Sequence, residues 1–140
     1  MRILVDTSVW VDFIRNRPLA HVETLARLLD DKVSVCMAPP ILQEVLQGAS
    51  MRENQAALER RFHRVPLLDF DDAAVAAVAA ARLYLRCRLV GTTPRSGTDC
   101  LIACIAIEHD VPLLHNDRDF DAIARVEPRL KLFSTRQASR

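Results

Sequence analysis

The sequence lacks the segments that would direct or anchor a protein outside the cytosol. Its first apolar run begins at residue 2, with no charged n-region, no hydrophobic h-region and no apolar stretch long enough to cross a bilayer. No linker or change in composition divides the 140 residues, and half of them are hydrophobic, which is enough for one core. We therefore expect a single cytosolic domain over residues 1–140 with no membrane partner.

The cysteines lack the C-x-x-C spacing of redox and zinc motifs. Cys36, Cys87, Cys100 and Cys104 lie inside apolar or helical segments, so we interpret them as reduced core residues. Cys100 and Cys104 are one helical turn apart, but no pair of histidines has a spacing that would complete a zinc site. A zinc site is therefore the less favoured interpretation.

A strong net charge is also missing. The formal net charge is +1 at pH 7, so no global basic field indicates a nucleic-acid partner. Only two of the nineteen basic residues are Lys, and Arg presents a planar set of donors that suits phosphate oxygens. A GC-rich genome explains this bias equally well, and the arginines within residues 52–64 and 82–88 are also typical of solvated helix faces.

Short apolar runs alternate with helical patterns along the chain. Strands are predicted at residues 2–5, 33–37, 65–68, 111–114 and 130–133. Helices are predicted from residue 7, over 21–29, from Pro39, and over 53–63, 72–88, 98–108 and 120–125, with a loop at 89–98. This alternation predicts an α/β fold in three layers, with a central parallel sheet of four to five strands and helices on both faces.

Four carboxylates stand where an apolar run gives way to a turn or a helix. They are Asp6, Glu44, Asp99 and Asp117. Because the carboxyl ends of parallel strands share one edge of a sheet, we expect these side chains to meet in one cleft. Clustered carboxylates raise one another's pKa unless a cation neutralises them. The pattern therefore predicts a divalent-metal site.

Each acid also has a simpler interpretation as a helix cap or a turn residue. Asp6 is placed to cap the first helix, Asp99 to complete a capping box with Ser96, Glu44 to interact with a helix dipole, Asp117 to stabilise a turn and Asp119 to cap the helix from Phe120. Asp99 favours the metal interpretation, because it heads the apolar face formed by Ile102, Ala103 and Ala106. No nearby basic residue is placed to pair with it, and an unpaired charge there is costly.

Four segments, in this order, resemble the PIN-domain ribonucleases and most closely the VapC toxins of toxin–antitoxin operons. They are Ile-Leu-Val-Asp-Thr-Ser at residues 3–8, the helix that carries Glu44, Asp99-x-Leu-Ile-Ala, and Leu-Leu-His-Asn-Asp-Arg-Asp-Phe at residues 113–120. The resemblance covers essentially the whole chain. It implies that Asp6, Glu44, Asp99 and Asp117 are the catalytic, metal-binding acids. It also assigns Thr7 or Ser8 as a hydroxyl beside the first acid and Asp119 as an auxiliary acid.

The resemblance further implies an activity and partners. It points to a Mg²⁺-dependent endoribonuclease, with Mn²⁺ as a substitute, that hydrolyses RNA phosphodiester bonds with metal-activated water. It also implies a VapB-type antitoxin, which we expect to present an Arg or Lys to the acidic cleft. A homodimer is expected too, with apolar surface offered by Val9, Trp10 and Phe13 together with the mid-chain helices. The alternative is that these three side chains simply pack on the sheet.

Two other functions fit parts of the pattern. An aspartyl phosphotransferase also opens with a strand ending in Asp, but it needs a second Asp two residues later, where this chain has Ser8. A non-catalytic RNA- or protein-binding module would use the same acids only as caps. Metal-dependent cleavage of RNA, stopped by a chelator, separates the enzyme from the module.

Overall fold

A computed structural model describes residues 1–134. Its elements are, in chain order, β1 (Arg2–Val5), α1 (Thr7–Ile14), α2 (Ala20–Asp30), β2 (Ser34–Cys36), α3 (Pro39–Gln47), α4 (Arg52–Phe62), α5 (Ala73–Leu89), α6 (Gly97–Glu108), β3 (Leu113–Leu114) and α7 (Arg118–Val126). Each helix predicted from the sequence is present with slightly shifted ends. None of the helices described is long and apolar enough to cross a membrane.

The three strands form a parallel sheet in the order β2-β1-β3. Ile3 pairs with Val35, and Leu4 pairs with Leu113 on the other side. Three consecutive residues of β1, from Ile3 to Val5, are each 0% exposed. Because successive side chains of a strand point to opposite faces, both faces of β1 are covered. The parallel arrangement confirms that the residues after β1 and β3 lie at one edge of the sheet.

The prediction of four to five strands is wrong for the described part of the chain. The predicted strand at 65–68 makes a single parallel bridge, from Leu67 to Met37, and the one at 130–133 makes a single bridge from Leu132 to Leu113. The first is held by two hydrogen bonds, from Met37 N to Pro66 O at 2.9 Å and from Leu68 N to Met37 O at 2.8 Å. Pro66 has no N–H to extend this ladder. Both segments therefore flank the sheet without forming strands.

Trp10 lies at the centre of the packing between α1 and its neighbours. Its side chain is 2% exposed, its indole Nε1 donates to Val5 O at 3.1 Å, and its ring meets the Phe62 ring edge-on at 5.1 Å between centroids. Val9 is 0% exposed, and Phe13 packs partly buried against the same core. Val9 and Trp10 therefore pack in the monomer core, as the alternative interpretation predicted, and the prediction that they offer surface to a second subunit is wrong.

The cysteines also lie where apolar residues are expected. Cys36, Cys87 and Cys100 are buried, Cys104 is partly buried, and all four are free thiols. Burial raises the pKa of the Cys100 thiol to about 12, which keeps it protonated at neutral pH. Their interpretation as core residues is confirmed.

Candidate metal centre

Asp6 connects the central strand to the first helix. It directly follows β1, and its backbone N donates to Leu114 O at 2.9 Å, which holds it beside the end of β3. Its side chain is 5% exposed. One carboxylate oxygen, Oδ2, accepts hydrogen bonds from Ser8 N at 3.2 Å and Ser8 Oγ at 2.7 Å. Burial raises the pKa of Asp6, and the Ser8 bonds offset only part of this effect.

The two hydroxyls after Asp6 connect it to other elements. Ser8 Oγ accepts from Asn116 N at 3.0 Å, which joins α1 to the segment after β3. Thr7 Oγ1 donates to Glu44 Oε1 at 3.1 Å, which brings α3 to the same edge. Glu44 lies at the solvent-facing rim. Partial burial raises its pKa, the bond from Thr7 lowers it, and the charge of Asp6 raises it further.

The other acids converge from α6 and α7. Asp99 lies in the first turn of α6, and Asp117 precedes α7. One carboxylate oxygen from each of Asp99, Asp117 and Asp119 lies within 4.8 Å of the other two. Residues 20 apart in the sequence thus offer three oxygens around one point, at the edge where β1 and β3 end.

Asp99 lies within electrostatic reach of the other acids. Burial raises its pKa to about 7, and the charges of Asp6, Asp117, Asp119 and Glu44 raise it in the same direction. Carboxylate oxygens of Asp99, Asp117 and Asp119 lie within 4.8 Å of one another, and Asp6 and Glu44 are farther members of the set, whose charges still reach Asp99. The apolar face behind it is buried as predicted, with Ile102 and Ala103 each 0% exposed.

The capping interpretations hold for some of these acids. Asp6 is the N-cap of α1, and Asp117 is the N-cap of α7 through a bond from Asp119 N to Asp117 Oδ1 at 2.9 Å. Asp119 was expected to cap a helix beginning at Phe120, which is wrong, since α7 begins two residues earlier, at Arg118, and its N-cap is Asp117. At α6 the Ser96 hydroxyl accepts from Thr98 N at 3.2 Å, but within residues 1–134 the expected bond from Ser96 N to the Asp99 carboxylate is not formed. A cap occupies one carboxylate oxygen, so capping does not prevent the other from binding a metal.

Arg95 is a site residue that the sequence did not reveal. Its guanidinium NH2 donates to Asp117 Oδ1 at 2.8 Å, and its Nε and backbone N donate to Asp119 Oδ2 at 3.1 Å and 3.0 Å. Burial acts to raise the pKa of Asp119, but these bonds and the Arg95 charge outweigh it, so the pKa is lowered. Only its place in the loop before α6, four residues before Asp99, could have indicated this role.

His115 is a second residue that the sequence analysis missed. Its Nδ1 accepts from Asp117 N at 3.0 Å, so the other nitrogen, Nε2, carries the proton when the ring is neutral. That nitrogen lies 3.4 Å from Asp121 Oδ1. The ring also packs on Phe120 at 5.3 Å between centroids. His115 therefore fixes the backbone that positions Asp117.

The donor set fits a hard divalent cation. All the converging ligands are carboxylate oxygens, which Mg²⁺ and Mn²⁺ prefer. Asp99 has acidic neighbours on several elements, and the ion pairs of Arg95 go to Asp117 and Asp119 rather than to Asp99. Asp6, Glu44, Asp99 and Asp117, with Asp119 beside them, are thus the residues that could hold such an ion.

Comparison with known proteins identifies the family. The model of the PIN domain matches residues 3–126. The chain belongs to the PIN-domain family. Among relatives of this PIN domain, the VapC ribonuclease Mb1587 of Mycobacterium bovis and ribonuclease VapC11 of Mycobacterium tuberculosis are each 42% identical over 125 residues, covering 89% of this chain and 92% of each relative.

Solved structures share the fold of this PIN domain. VapBC2 from Rickettsia felis, bound to a DNA fragment from its promoter, superposes with a TM-score of 0.73 at 22% identity, covering 95% of this chain and 98% of that one. VapBC-1 from nontypeable Haemophilus influenzae gives 0.71 at 22% identity, covering 97% and 99%. The α/β fold with a parallel sheet predicted from the sequence is thus confirmed at the level of the family.

Proposed function

We propose that this PIN domain is a metal-dependent endoribonuclease toxin that hydrolyses phosphodiester bonds of RNA. The observation that carries the proposal is the cluster of Asp99, Asp117 and Asp119, whose carboxylate oxygens lie within 4.8 Å of one another, with Asp6 held beside the end of β3 and Glu44 joined to Thr7. A set of acids that stabilised only helix ends would have no reason to converge in this way. The names of the 42% identical relatives, both VapC ribonucleases, support the same activity.

The acids divide into two groups by the elements that hold them. We assign Asp99 and Asp117, with Asp119 beside them, to direct or water-mediated contact with the ion, because their oxygens lie within 4.8 Å of one another. Asp6 and Glu44 extend this group toward the end of β1 and complete the negative cleft. The bound ion, Mg²⁺ or Mn²⁺ in its place, would supply a water of lowered pKa and neutralise charge on the phosphate.

The hydroxyls beside Asp6 have positioning roles in this proposal. Ser8 donates to Asp6 Oδ2 from both its backbone N and its Oγ. These bonds fix the Asp6 side chain and leave its other oxygen, Oδ1, without a bond to Ser8. Thr7 holds Glu44 by a single bond from its Oγ1 to Glu44 Oε1. Each hydroxyl thus orients an acid and need not touch the ion itself.

Purified protein should cleave single-stranded RNA when Mg²⁺ or Mn²⁺ is present and stop when a chelator is added. The reason is that the carboxylates alone repel a phosphate, whereas a bound cation attracts it. Product lengths on a labelled RNA measure the activity, and the Asp99→Asn variant purified in the same way controls for contaminating nuclease. Binding of RNA without cleavage at any metal concentration would instead support the non-catalytic module.

We propose a VapB-type antitoxin as the protein partner, because the structural neighbours are VapBC complexes. The negative cleft suits an Arg or Lys of the partner, which would bind the carboxylates in place of the ion. Expression of the chain alone should then arrest growth, and co-expression with its antitoxin should restore it. Normal growth with soluble wild-type protein confirmed would contradict the toxin assignment.

We also propose a homodimer, with its apolar surface on the mid-chain helix α5 and not on α1. Val78 and Leu85 of α5 are 48% and 51% exposed, and they lie seven residues apart on the face that also carries Val75 and Leu89. A self-complementary stripe of this kind pairs around a two-fold axis. Light scattering should give a dimer mass for the wild type and for Leu67→Glu, an exposed residue outside α5, and a monomer mass for Leu85→Glu. A monomeric wild type at micromolar concentration would refute the dimer.

A further inference from the structure

We propose that Arg95 is a tethered competitor of the divalent ion: its guanidinium holds Asp117 and Asp119 in the metal-free protein and must release Asp117 before the ion binds. The inference rests on the proposed function, because it concerns the same acidic cluster. It assigns to a residue of the chain itself the place that a partner's Arg or Lys would take.

The geometry shows that Arg95 and an ion would draw on the same two carboxylates. The guanidinium bonds Asp117 Oδ1 at 2.8 Å and Asp119 Oδ2 at 3.1 Å, as a fork across two carboxylates. These two acids and Asp99 are the group whose oxygens lie within 4.8 Å of one another. A cation among these oxygens at coordination distance would repel the guanidinium, since both are positive and close. Occupation by one therefore disfavours the other.

The position of Arg95 allows it to leave without disturbing the fold. Its side chain is 75% exposed, and it lies in the short segment between α5 and α6, where Gly91 adopts a positive φ of 77°. The backbone N of Arg95 also donates to Asp119 Oδ2 at 3.0 Å. This bond keeps the segment beside the cluster while the guanidinium moves. The guanidinium can thus move away while the backbone of Arg95 stays beside Asp119.

The arrangement leaves Asp99 without the ion pair to Arg95 that its two neighbours have. Arg95 makes ion pairs with Asp117 and Asp119 but not with Asp99, which has a carboxylate oxygen within 4.8 Å of theirs. The cluster is therefore only partly neutralised by the protein itself. An ion that displaces Arg95 gains Asp99 as an unshared ligand, and this gain drives the exchange.

Calorimetric titration with Mn²⁺ tests the competition. We expect Arg95→Ala to bind Mn²⁺ about three- to fivefold more tightly than the wild type, the range expected from losing an exposed competing ion pair. Arg82→Ala, which removes the same charge from an exposed position on α5, should bind as the wild type does. Arg95→Lys keeps the charge but loses the planar fork across two carboxylates. It should bind more tightly than the wild type, whereas a purely long-range charge effect would leave it unchanged.

A spectroscopic measurement on the full-length wild type reports the release itself. The Arg95 Nε–Hε resonance, assigned by its loss in Arg95→Lys, should move toward the position of a solvated arginine when Mg²⁺ saturates the protein. An unmoved resonance, or equal Mn²⁺ affinity of wild type and Arg95→Ala, would overturn the role of Arg95 and leave the metal site intact. Failure of all these proteins to bind Mn²⁺ would refute the proposed metal site and this inference together.

Discussion

Replacing Asp99 with asparagine should lower RNA cleavage by about three orders of magnitude or more while leaving a folded protein. The substitution keeps the size of the side chain and removes its charge. Metal-assisted stabilisation of a transition state contributes several kcal/mol, and each 1.4 kcal/mol corresponds to about tenfold in rate. Burial and the charges of the neighbouring acids raise the pKa of Asp99. Loss of its charge should therefore weaken binding of the ion and slow the reaction together.

The matched control is Asp72→Asn. Asp72 is also an acid at a helix start, the N-cap of α5, and its carboxylate accepts from Val75 N at 3.0 Å. Asparagine caps a helix about as well as aspartate, so this variant should keep both stability and cleavage. Initial rates on a labelled RNA, with circular dichroism to verify folding, provide the comparison. Cleavage by Asp99→Asn at the wild-type rate would contradict the assignment of this residue.

Replacing Trp10 with alanine should lower the free energy of unfolding by about 3–5 kcal/mol, the usual cost of truncating a buried aromatic side chain to alanine. Trp10 is 2% exposed and packs edge-on against Phe62 and Phe13. A loss of this size is a large part of the roughly 5–15 kcal/mol that stabilises a typical domain. Chemical denaturation monitored by far-ultraviolet circular dichroism measures it.

A second variant separates packing from hydrogen bonding. Trp10→Phe keeps an aromatic ring but loses the bond from the indole Nε1 to Val5 O, and it should cost clearly less than the alanine variant. A loss that varied with protein concentration would instead place Trp10 at a subunit interface. Equal stability of the wild type and Trp10→Ala would contradict the buried position of Trp10 between α1 and Phe62.

The comparison of sequence and structure shows which features local patterns determine. The helices and β1 follow from apolar spacing and capping residues, and the acids are found because each stands next to an apolar run or at the start of a helix. The segment at Leu67 carries the same Val-Pro-Leu-Leu letters as the segment that ends in β3, but its contact with Met37 is limited to one bridge. Strand formation depends on a neighbour distant in sequence, which the local pattern does not contain.

The same limit applies to the site. Asp99 is recognisable because its carboxylate heads an apolar face, whereas Arg95 lies in a loop with no periodic pattern. Its bonds to Asp117 and Asp119 span 22 and 24 residues and depend on how the loop packs against α7. Trp10 illustrates the opposite case, since an apolar pattern alone fits both a core residue and an interface residue. Its burial appears only when Phe62 packs on it.

The raised pKa of Asp99 has a consequence for stability. In the unfolded chain the group titrates near its ordinary value of 3.8, and in the folded, metal-free protein near 7. The folded state thus binds more protons between these values. The contribution of protonated Asp99 to the free energy of unfolding is therefore fully present below pH 3.8 and is lost as pH rises through about 7. Urea midpoints in chelator should therefore fall over this range for the wild type and fall less for Asp99→Asn.

The most direct test of the metal centre is the melting temperature of wild type, Asp99→Asn and Asp72→Asn at pH 8, each with chelator and with Mg²⁺. Mg²⁺ should raise the melting temperature of the wild type and Asp72→Asn by mass action. In chelator, Asp99→Asn should melt at or above the wild type, because a repelled charge is gone, and Mg²⁺ should raise its melting temperature much less. An Asp99→Asn protein destabilised equally with and without Mg²⁺ would show that Asp99 only supports its helix, and it would contradict the metal centre.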